Sequence, residues 1–215
     1  MTTKLYFDFK KGGYINPSNY GVSITSSPVL VKRELGYALK KGLKNAFTLR
    51  NIDLFTTSLL TFELEVNFTN RSSYIGGFRN GAITNSFLGY GFTGFGSALS
   101  VQYNNPSGTV IWGAKPLETT LLGKYRLVIT INGNNASVAV NRNIYHYTDF
   151  PSGTIGTYSL ANSSNYISGN PGGASTNQFD IYLISISTEF LSDKEIVKRY
   201  VKFINSRPIQ QTLAY

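Results

Sequence analysis

The chain contains no cysteine, and this absence excludes thiol catalysis, thiolate zinc sites and disulfide cross-links together. It has one histidine, so a serine triad or a histidine metal site would have to use His146. No window approaches the roughly 18 consecutive apolar residues of a membrane-spanning helix. Residues 1–11 also lack the apolar run of a secretory signal. We therefore expect a protein that is cytoplasmic before assembly and reaches a virion or an extracellular surface after it.

Acidic residues are scarce: 11 Asp and Glu oppose 20 Lys and Arg, giving a net charge of +9. The excess is local, because residues 1–50 carry nine basic and two acidic residues whereas residues 51–180 are balanced. A local basic patch indicates contact with an acidic surface, and a solvated face is the alternative interpretation. The candidate anion-binding or partner-binding residues are Lys10, Lys11, Lys32, Arg33, Lys40, Lys41 and Lys44.

Alternation of apolar and polar residues is what the sequence does have, and it is clearest on both sides of Asn132-Gly133. Such alternation around Asn-Gly is the strongest short-range signal of a β-hairpin. Tyr125, Leu127, Ile129 and Ile131 share one predicted face of the first strand, and Arg126, Val128 and Thr130 share the other. In the second strand Ala136, Val138 and Val140 alternate with Ser137 and Ala139.

Two further long strands are predicted over Leu59–Phe68 and Phe179–Ser187, and a helix follows the second of them. Ser192 and Glu195 have the spacing of a capping box. The predicted apolar stripe of the helix comprises Ile196, Val197, Tyr200, Val201 and Ile204. Shorter strands are predicted at Leu5–Phe9, Val29–Lys32, Tyr37–Leu39, Ala46–Leu49, Tyr74–Phe78, Ser86–Phe92, Ala98–Tyr103, Thr109–Trp112, Ile144–Tyr147, Thr154–Ser159 and Tyr166–Ser168.

Many short strands with frequent turn signals and one late helix predict an all-β protein, a two-sheet antiparallel sandwich with one C-terminal helix. We assign residues 1–206 to a single domain, in which residues 1–45 form a basic N-terminal part. Residues 207–215 form an uncharged C-terminal tail.

Three segments in this order resemble the laminin-G-like branch of the concanavalin A-like lectin/glucanase superfamily. They are Leu60–Phe68, the hairpin that begins with Gly123-Lys124-Tyr125, and Phe179–Ile186 followed by Leu191–Ile196. The sequence departs from the family's pattern at Tyr125, where tryptophan is usual, and at Asn141-Arg142-Asn143, where Asn-Gly or Asp-Gly is common. Residues 1–45 have no counterpart in the family. The resemblance implies a jelly roll with one concave sheet, which often binds carbohydrate or protein.

Glu63 and Glu65 share a strand face at a spacing that would suit retaining glycoside hydrolysis. The neighbouring same-face positions are Thr61 and Asn67, so the third carboxylate of the superfamily's hydrolases is missing. We interpret the pair as a solvated strand face and His146 as a packing or surface residue. We therefore predict no enzyme, no catalytic residue, no assignable metal site and no cofactor. A structural calcium ion remains an alternative, but its ligands cannot be assigned because the aspartates are scattered along the sequence.

Tyrosines next to amides and small residues suit sugar stacking and subunit interfaces, and an ordinary sandwich exterior is the alternative. The candidate carbohydrate or interface aromatics are Tyr74, Tyr90, Tyr103, Tyr158 and Tyr166. Four sequons mark candidate N-glycosylation sites at Asn67, Asn70, Asn135 and Asn162.

These absences favour a non-catalytic structural or surface subunit of a larger assembly, in particular a virion capsid, decoration or fibre protein with a lectin-like jelly roll. Its partners would be copies of itself or other subunits of the assembly. The alternative is a free lectin-like module that binds glycans. A weaker alternative is nucleic-acid binding through the basic N-terminal region.

Overall fold

The computed structural model describes residues 4–12, 23–24, 29–39, 47–50, 59–68, 74–79, 87–93, 98–104, 112–117, 123–132, 135–148, 165–167 and 179–205. The predicted fold class is confirmed: the chain is an all-β antiparallel sandwich of the jelly-roll type with a C-terminal helix. The helix, α1, spans Asp193–Asn205, and a 3₁₀ turn covers Phe9–Lys11. The strands are β1 (Lys4–Asp8), β2 (Ser23–Ile24), β3 (Leu30–Arg33), β4 (Gly36–Leu39), β5 (Phe47–Arg50), β6 (Leu59–Phe68), β7 (Tyr74–Arg79), β8 (Phe87–Thr93), β9 (Ala98–Asn104), β10 (Trp112–Leu117), β11 (Gly123–Asn132), β12 (Asn135–Val140), β13 (Asn143–Tyr147), β14 (Asn165–Ile167) and β15 (Phe179–Ser187).

The largest sheet is built around β6, which pairs with β11 on one side and β15 on the other. Its strand order is β13-β12-β11-β6-β15-β4-β3, and β1 also pairs with β15. The three long strands predicted from alternation are therefore neighbours at the sheet's centre. Strands β1, β3 and β4 come from the N-terminal part that has no counterpart in the family, and they complete this sheet.

One face of the large sheet is apolar and forms the core. Its side chains alternate along each strand with those of the opposite face, as period-two patterning requires. Burial of each large aliphatic or aromatic side chain contributes about 1.5–3 kcal/mol. The fully buried members include Leu5, Phe7, Phe62, Leu64, Leu127, Ile129, Ile131, Val138, Ile184 and Ile186.

The remaining strands form two smaller sheets, one of order β10-β9-β8-β7 and one of order β14-β5-β2. Strands β14 and β7 are edges of these sheets, and their Cα atoms come within 8 Å of each other. The described strands thus make three hydrogen-bonded sheets rather than the expected two. The edge-to-edge approach of the smaller pair fits the second layer of a sandwich.

The predicted hairpin is present, because β11 and β12 pair in continuous register from Leu127 and Val140 to Asn132 and Asn135. Residues 133–134, which include the predicted Gly133, lie outside the described residues. At the next turn Asn141 adopts the left-handed conformation (φ 58°), which asparagine tolerates. Its backbone and side chain also bond the backbone of Arg126.

Two predicted strands lie partly or wholly outside the described residues. Strand β10 spans Trp112–Leu117, so it includes the last residue of the predicted strand Thr109–Trp112 and continues beyond it, whereas residues 109–111 are outside the described part of the chain. Pro116 is tolerated in β10 because β10 lies at the edge of its sheet of described strands. The predicted strand Thr154–Ser159 lies outside the described part of the chain.

Helix α1 begins where the capping signal predicts, since the Glu195 N–H donates to Ser192 Oγ at 3.4 Å. The predicted apolar stripe is partly wrong. Ile196 and Phe203 are buried, whereas Val197, Val201 and Ile204 are 38–47 % exposed. The reason is that α1 turns Ile196 and Arg199 towards the polar face of the large sheet. Ile196 packs there with Val128, Ala139 and Leu191 in a second small apolar cluster. In the described part of the chain no helix has the length and apolarity that crossing a membrane requires.

Candidate functional site

The second face of the large sheet carries charged side chains and is buried as well. Glu63 and Glu65 of β6 are 1 % and 3 % exposed. The interpretation of this pair as a solvated strand face is therefore wrong. Helix α1 and the segment after β1 supply side chains that cover it, which alternation within one strand does not reveal.

Arg126 of β11 lies opposite Glu65 in the register and bridges both carboxylates. Its Nη1 donates to Glu65 Oε1 at 2.6 Å, and its Nη2 donates to Glu63 Oε2. Such a fork is the geometry in which arginine binds carboxylates most strongly. The guanidinium compensates one of the two negative charges and occupies one oxygen of each carboxylate.

Two more cations close the ends of this buried charge network. Lys10 Nζ lies 2.8 Å from Glu65 Oε2, and Arg199 of α1 donates to Glu63 Oε1. Arg199 also contacts Glu189 at 3.1 Å and Glu195 at 3.4 Å. Burial alone would lower the pKa of Arg199, but the charge of Glu63 and the hydrogen bond to Glu189 more than offset it. The net result is a raised pKa.

A second, smaller cluster lies at the β3–β4 end of the same face. Arg33 Nε bonds Asp180 Oδ2 at 2.9 Å, and Lys124 Nζ lies 2.7 Å from Glu34 Oε2. Burial and then the charge of Asp180 raise the pKa of Tyr182 to about 12. Among the described residues, Arg126 Nε, Asp180 Oδ1 and Ser185 Oγ have no hydrogen-bond partner.

The predicted basic residues divide between two environments. Lys10 and Arg33 form the ion pairs described above, whereas Lys11 and Lys32 are exposed. Their joint role in binding an anion stays a prediction. Lys40, Lys41 and Lys44 lie outside the described residues.

The predicted aromatics fall on different faces of the four-stranded sheet. In the register, Tyr90 pairs with Val101, and Tyr103 pairs with Leu88. Tyr74 instead pairs with Gly91, whose position shares a face with Gly89. We call the latter face the glycine face. Its positions are Tyr74, Gly77, Arg79, Phe87, Gly89, Gly91, Thr93, Ala98, Ser100, Gln102, Asn104 and Pro116.

The other sequence-predicted sites are scattered. Tyr166 lies in β14, and Tyr158 is outside the described residues. Among the sequons, Asn67 lies in β6 and Asn135 is exposed at the start of β12. Asn70 and Asn162 lie outside the described residues. No three His, Asp or Glu side chains of the described residues converge as metal ligands.

Sequence reasoning missed the surroundings of His146. Ser137 and His146 are direct partners in the β12–β13 register. Ser137 Oγ lies 3.0 Å from His146 Nδ1, and His146 Nε2 lies 3.1 Å from Asp193 Oδ2. The symmetric spacing of Ser137 and His146 about the Asn141-Arg142 turn is the signal that could have paired them.

No protein-family model matches the chain, and no curated protein matches it. Solved structures do. A Trypanosoma rangeli sialidase in complex with the inhibitor DANA matches with a TM-score of 0.61 and 14 % identity, covering 83 % of this chain and 32 % of the sialidase. Domain 4 of a GH43 extracellular arabinanase from Geobacillus stearothermophilus, in complex with arabinotriose, matches with a TM-score of 0.58 and 13 % identity, covering 91 % of this chain and 86 % of that domain. Botulinum neurotoxin type C matches with a TM-score of 0.59 and 12 % identity, covering 93 % of this chain and 51 % of the toxin chain.

At these identities the likeness shows the fold alone, and the chain spans about a third of the sialidase's length. The neighbours are β-sandwich proteins of the lectin-like, jelly-roll type, in line with the coarse form of the predicted resemblance. The prediction that the chain is not an enzyme is contradicted, because sialidases and a glycoside hydrolase are among its structural neighbours. That prediction rested on missing sequence features: no cysteine, a single histidine, no third carboxylate beside Glu63 and Glu65, and no cluster of metal ligands.

Proposed function

We propose that the protein is a carbohydrate-binding module with a lectin-like sandwich of the laminin-G-like, concanavalin A-like type. The match to the arabinanase domain carries the proposal, because most of each chain is covered and that domain is in complex with arabinotriose. A sialidase in complex with sialic acid and a toxin that depends on gangliosides are further neighbours connected with sugars.

The glycine face of the four-stranded sheet is the proposed binding surface. Glycine lets a sugar ring approach the backbone closely. Gln102 and Asn104 belong to the residue type that offers both a donor and an acceptor to sugar hydroxyls. Tyr74 supplies the residue type that stacks against sugars, and it is the predicted aromatic whose register position falls on this face.

A glycan array followed by calorimetry with arabinotriose and a sialylated trisaccharide tests this proposal. We expect Gln102→Ala and Tyr74→Ala each to weaken binding about tenfold, which corresponds to about 1.4 kcal/mol. Tyr90→Phe, on the opposite face, is the matched control and should leave the affinity unchanged. Absence of binding to every glycan, with the fold intact by circular dichroism, would contradict the proposal.

A second proposal, a subunit of a larger assembly such as a virion or extracellular surface, is supported by the exposed aliphatic stripe of α1. Val197, Val201 and Ile204 lie side by side on its outer face, and exposed apolar patches often mark interfaces. Light scattering across a concentration series should show an oligomer that Val201→Ser weakens. A monomer at all concentrations would contradict this second proposal.

A further inference from the structure

His146 contacts Ser137 and Asp193 in the way that a general base contacts a serine nucleophile and an orienting carboxylate. When the imidazole is neutral with its proton on Nε2, that proton bonds Asp193 Oδ2 at 3.1 Å. The lone pair of Nδ1 then faces Ser137 Oγ at 3.0 Å and accepts its proton. A nucleophile bonded to a base that a carboxylate orients is the arrangement of serine hydrolysis, recognised by geometry rather than by sequence order. In the usual triad Nε2 faces the serine and Nδ1 faces the carboxylate; in this protein Nδ1 faces Ser137 and Nε2 faces Asp193.

Rigid elements hold all three residues. Ser137 and His146 face each other across β12 and β13, and Ser137 pairs on its other side with Thr130 of β11. Thr130 Oγ1 accepts the Leu191 N–H at 2.9 Å, which ties the segment before α1 to this row. Asp193 is the first residue of α1, and the Ser192 cap fixes the helix start. Sites on such supports hold their geometry better than sites on loops.

The exposure of the three residues limits what can bind. The side chains of His146 and Asp193 are 57 % and 55 % exposed, so the imidazole is open to solvent. Ser137 is only 4 % exposed, which excludes a bulky acyl group. We propose that Ser137, His146 and Asp193 form a serine-nucleophile site for small acyl esters, such as an acetyl ester. Ser137 is the nucleophile, His146 the general base, and Asp193 a positioning residue.

The proposed step balances without any further co-reactant. Ser137 Oγ forms a bond to the ester carbonyl carbon while its proton moves to His146 Nδ1. The ester C–O bond then breaks, and the leaving alcohol takes that proton from the imidazole. Water next attacks the acyl-serine, again deprotonated by His146, and releases the carboxylic acid and free Ser137.

Brief incubation with p-nitrophenyl acetate, with mass spectrometry of the acetylated peptide, tests the site on the full chain. We expect labelling at Ser137 that Ser137→Ala abolishes and His146→Gln slows at least about a hundredfold, the contribution of a general base. Ser185→Ala is the matched control, because Ser185 is equally buried on the same sheet and has no described hydrogen-bond partner. The rate of p-nitrophenyl acetate hydrolysis should likewise be unchanged in Ser185→Ala, strongly reduced in His146→Gln and abolished in Ser137→Ala. Circular dichroism of each variant separates a chemical effect from unfolding.

The role of Asp193 has its own readout. Asp193→Asn should lower kcat and leave KM unchanged, because the imidazole loses the carboxylate that orients it, and Asp193→Glu should recover part of the rate. A kcat that neither variant changes would remove Asp193 from the proposal. No labelling of Ser137 in the folded protein, or labelling that His146→Gln leaves unchanged, overturns the site. Glycan binding is measured separately, so either proposal can fail alone.

Discussion

Replacing Arg126 by methionine should destabilise the fold by about 3 kcal/mol, because it removes the cation shared by two buried carboxylates. Deleting one partner of a buried ion pair costs about 3–5 kcal/mol, since the remaining charge is uncompensated. The lower value applies here because Glu65 keeps Lys10 and Glu63 keeps Arg199. Methionine preserves most of the apolar stem, so the lost charge dominates the effect.

Urea unfolding followed by far-ultraviolet circular dichroism measures this loss. Arg142→Met is the matched control: Arg142 is exposed in the β12–β13 turn, and its replacement should change the free energy of unfolding by less than about 0.5 kcal/mol. Adding Glu63→Gln and Glu65→Gln to Arg126→Met should restore part of the stability, because the buried carboxylates that lost a partner are removed, while Lys10 and Arg199 lose these two ion pairs. A loss no larger than that of the control, or no restoration in the triple variant, would refute the reasoning.

Two further predictions concern stability. The pKa of Tyr182 is raised from 10.0 to about 12, so the folded protein keeps a proton that the unfolded chain releases. Stability should therefore fall between about pH 10 and 12, by up to about 2–3 kcal/mol, and urea titrations of Tyr182→Phe should show a smaller fall; an identical fall would contradict the assignment. Gly36 has φ +107°, and a Cβ there would meet the Lys10 carbonyl oxygen, whereas Gly123 has φ +134° with nothing within 4 Å. Gly36→Ala should thus lower the melting temperature more than Gly123→Ala, and equal shifts would show that the close contact contributes nothing.

Period-two alternation identified the central strands because it reports local geometry. Strands β6, β11 and β15 all carry it, and they are neighbours at the centre of the large sheet. Strand β10 continues beyond the predicted end at Trp112 and includes Pro116, which a strand tolerates at a sheet edge, and edges follow from topology. Helical periodicity placed one stripe on α1, whereas the helix buries Ile196 and Phe203 and directs Arg199 towards Glu63.

The buried charge network could not be predicted from alternation alone. Glu63 and Glu65 read as solvent-facing because in many antiparallel sheets the polar face is solvated. Their burial depends on Lys10 and Arg199, which lie far away in the sequence and belong to other elements. One signal was available: Val128 and Ala139 are apolar residues on the face assigned to solvent. They mark the place where Ile196 packs.

Part of the site around His146 could be predicted from the sequence, namely the pairing of Ser137 with His146. A two-residue turn after Val140 fixes the β12–β13 register, and that register pairs Ser137 with His146. The contribution of Asp193 depends on where α1 docks, which no local pattern specifies. The prediction that His146 was a packing or surface residue described its exposure but omitted both of its partners.

The buried charge network also bears on how the chain folds during synthesis. Its carboxylates belong to β6, but Arg199 leaves the ribosome more than a hundred residues after them. Until then the polar face of a nascent sheet presents solvated Glu63 and Glu65 to water instead of an apolar surface. Exposed apolar surface is what makes partly folded chains aggregate. Because its second face is charged, the large sheet can remain solvated, without a large exposed apolar surface on that face, until α1 has been synthesised.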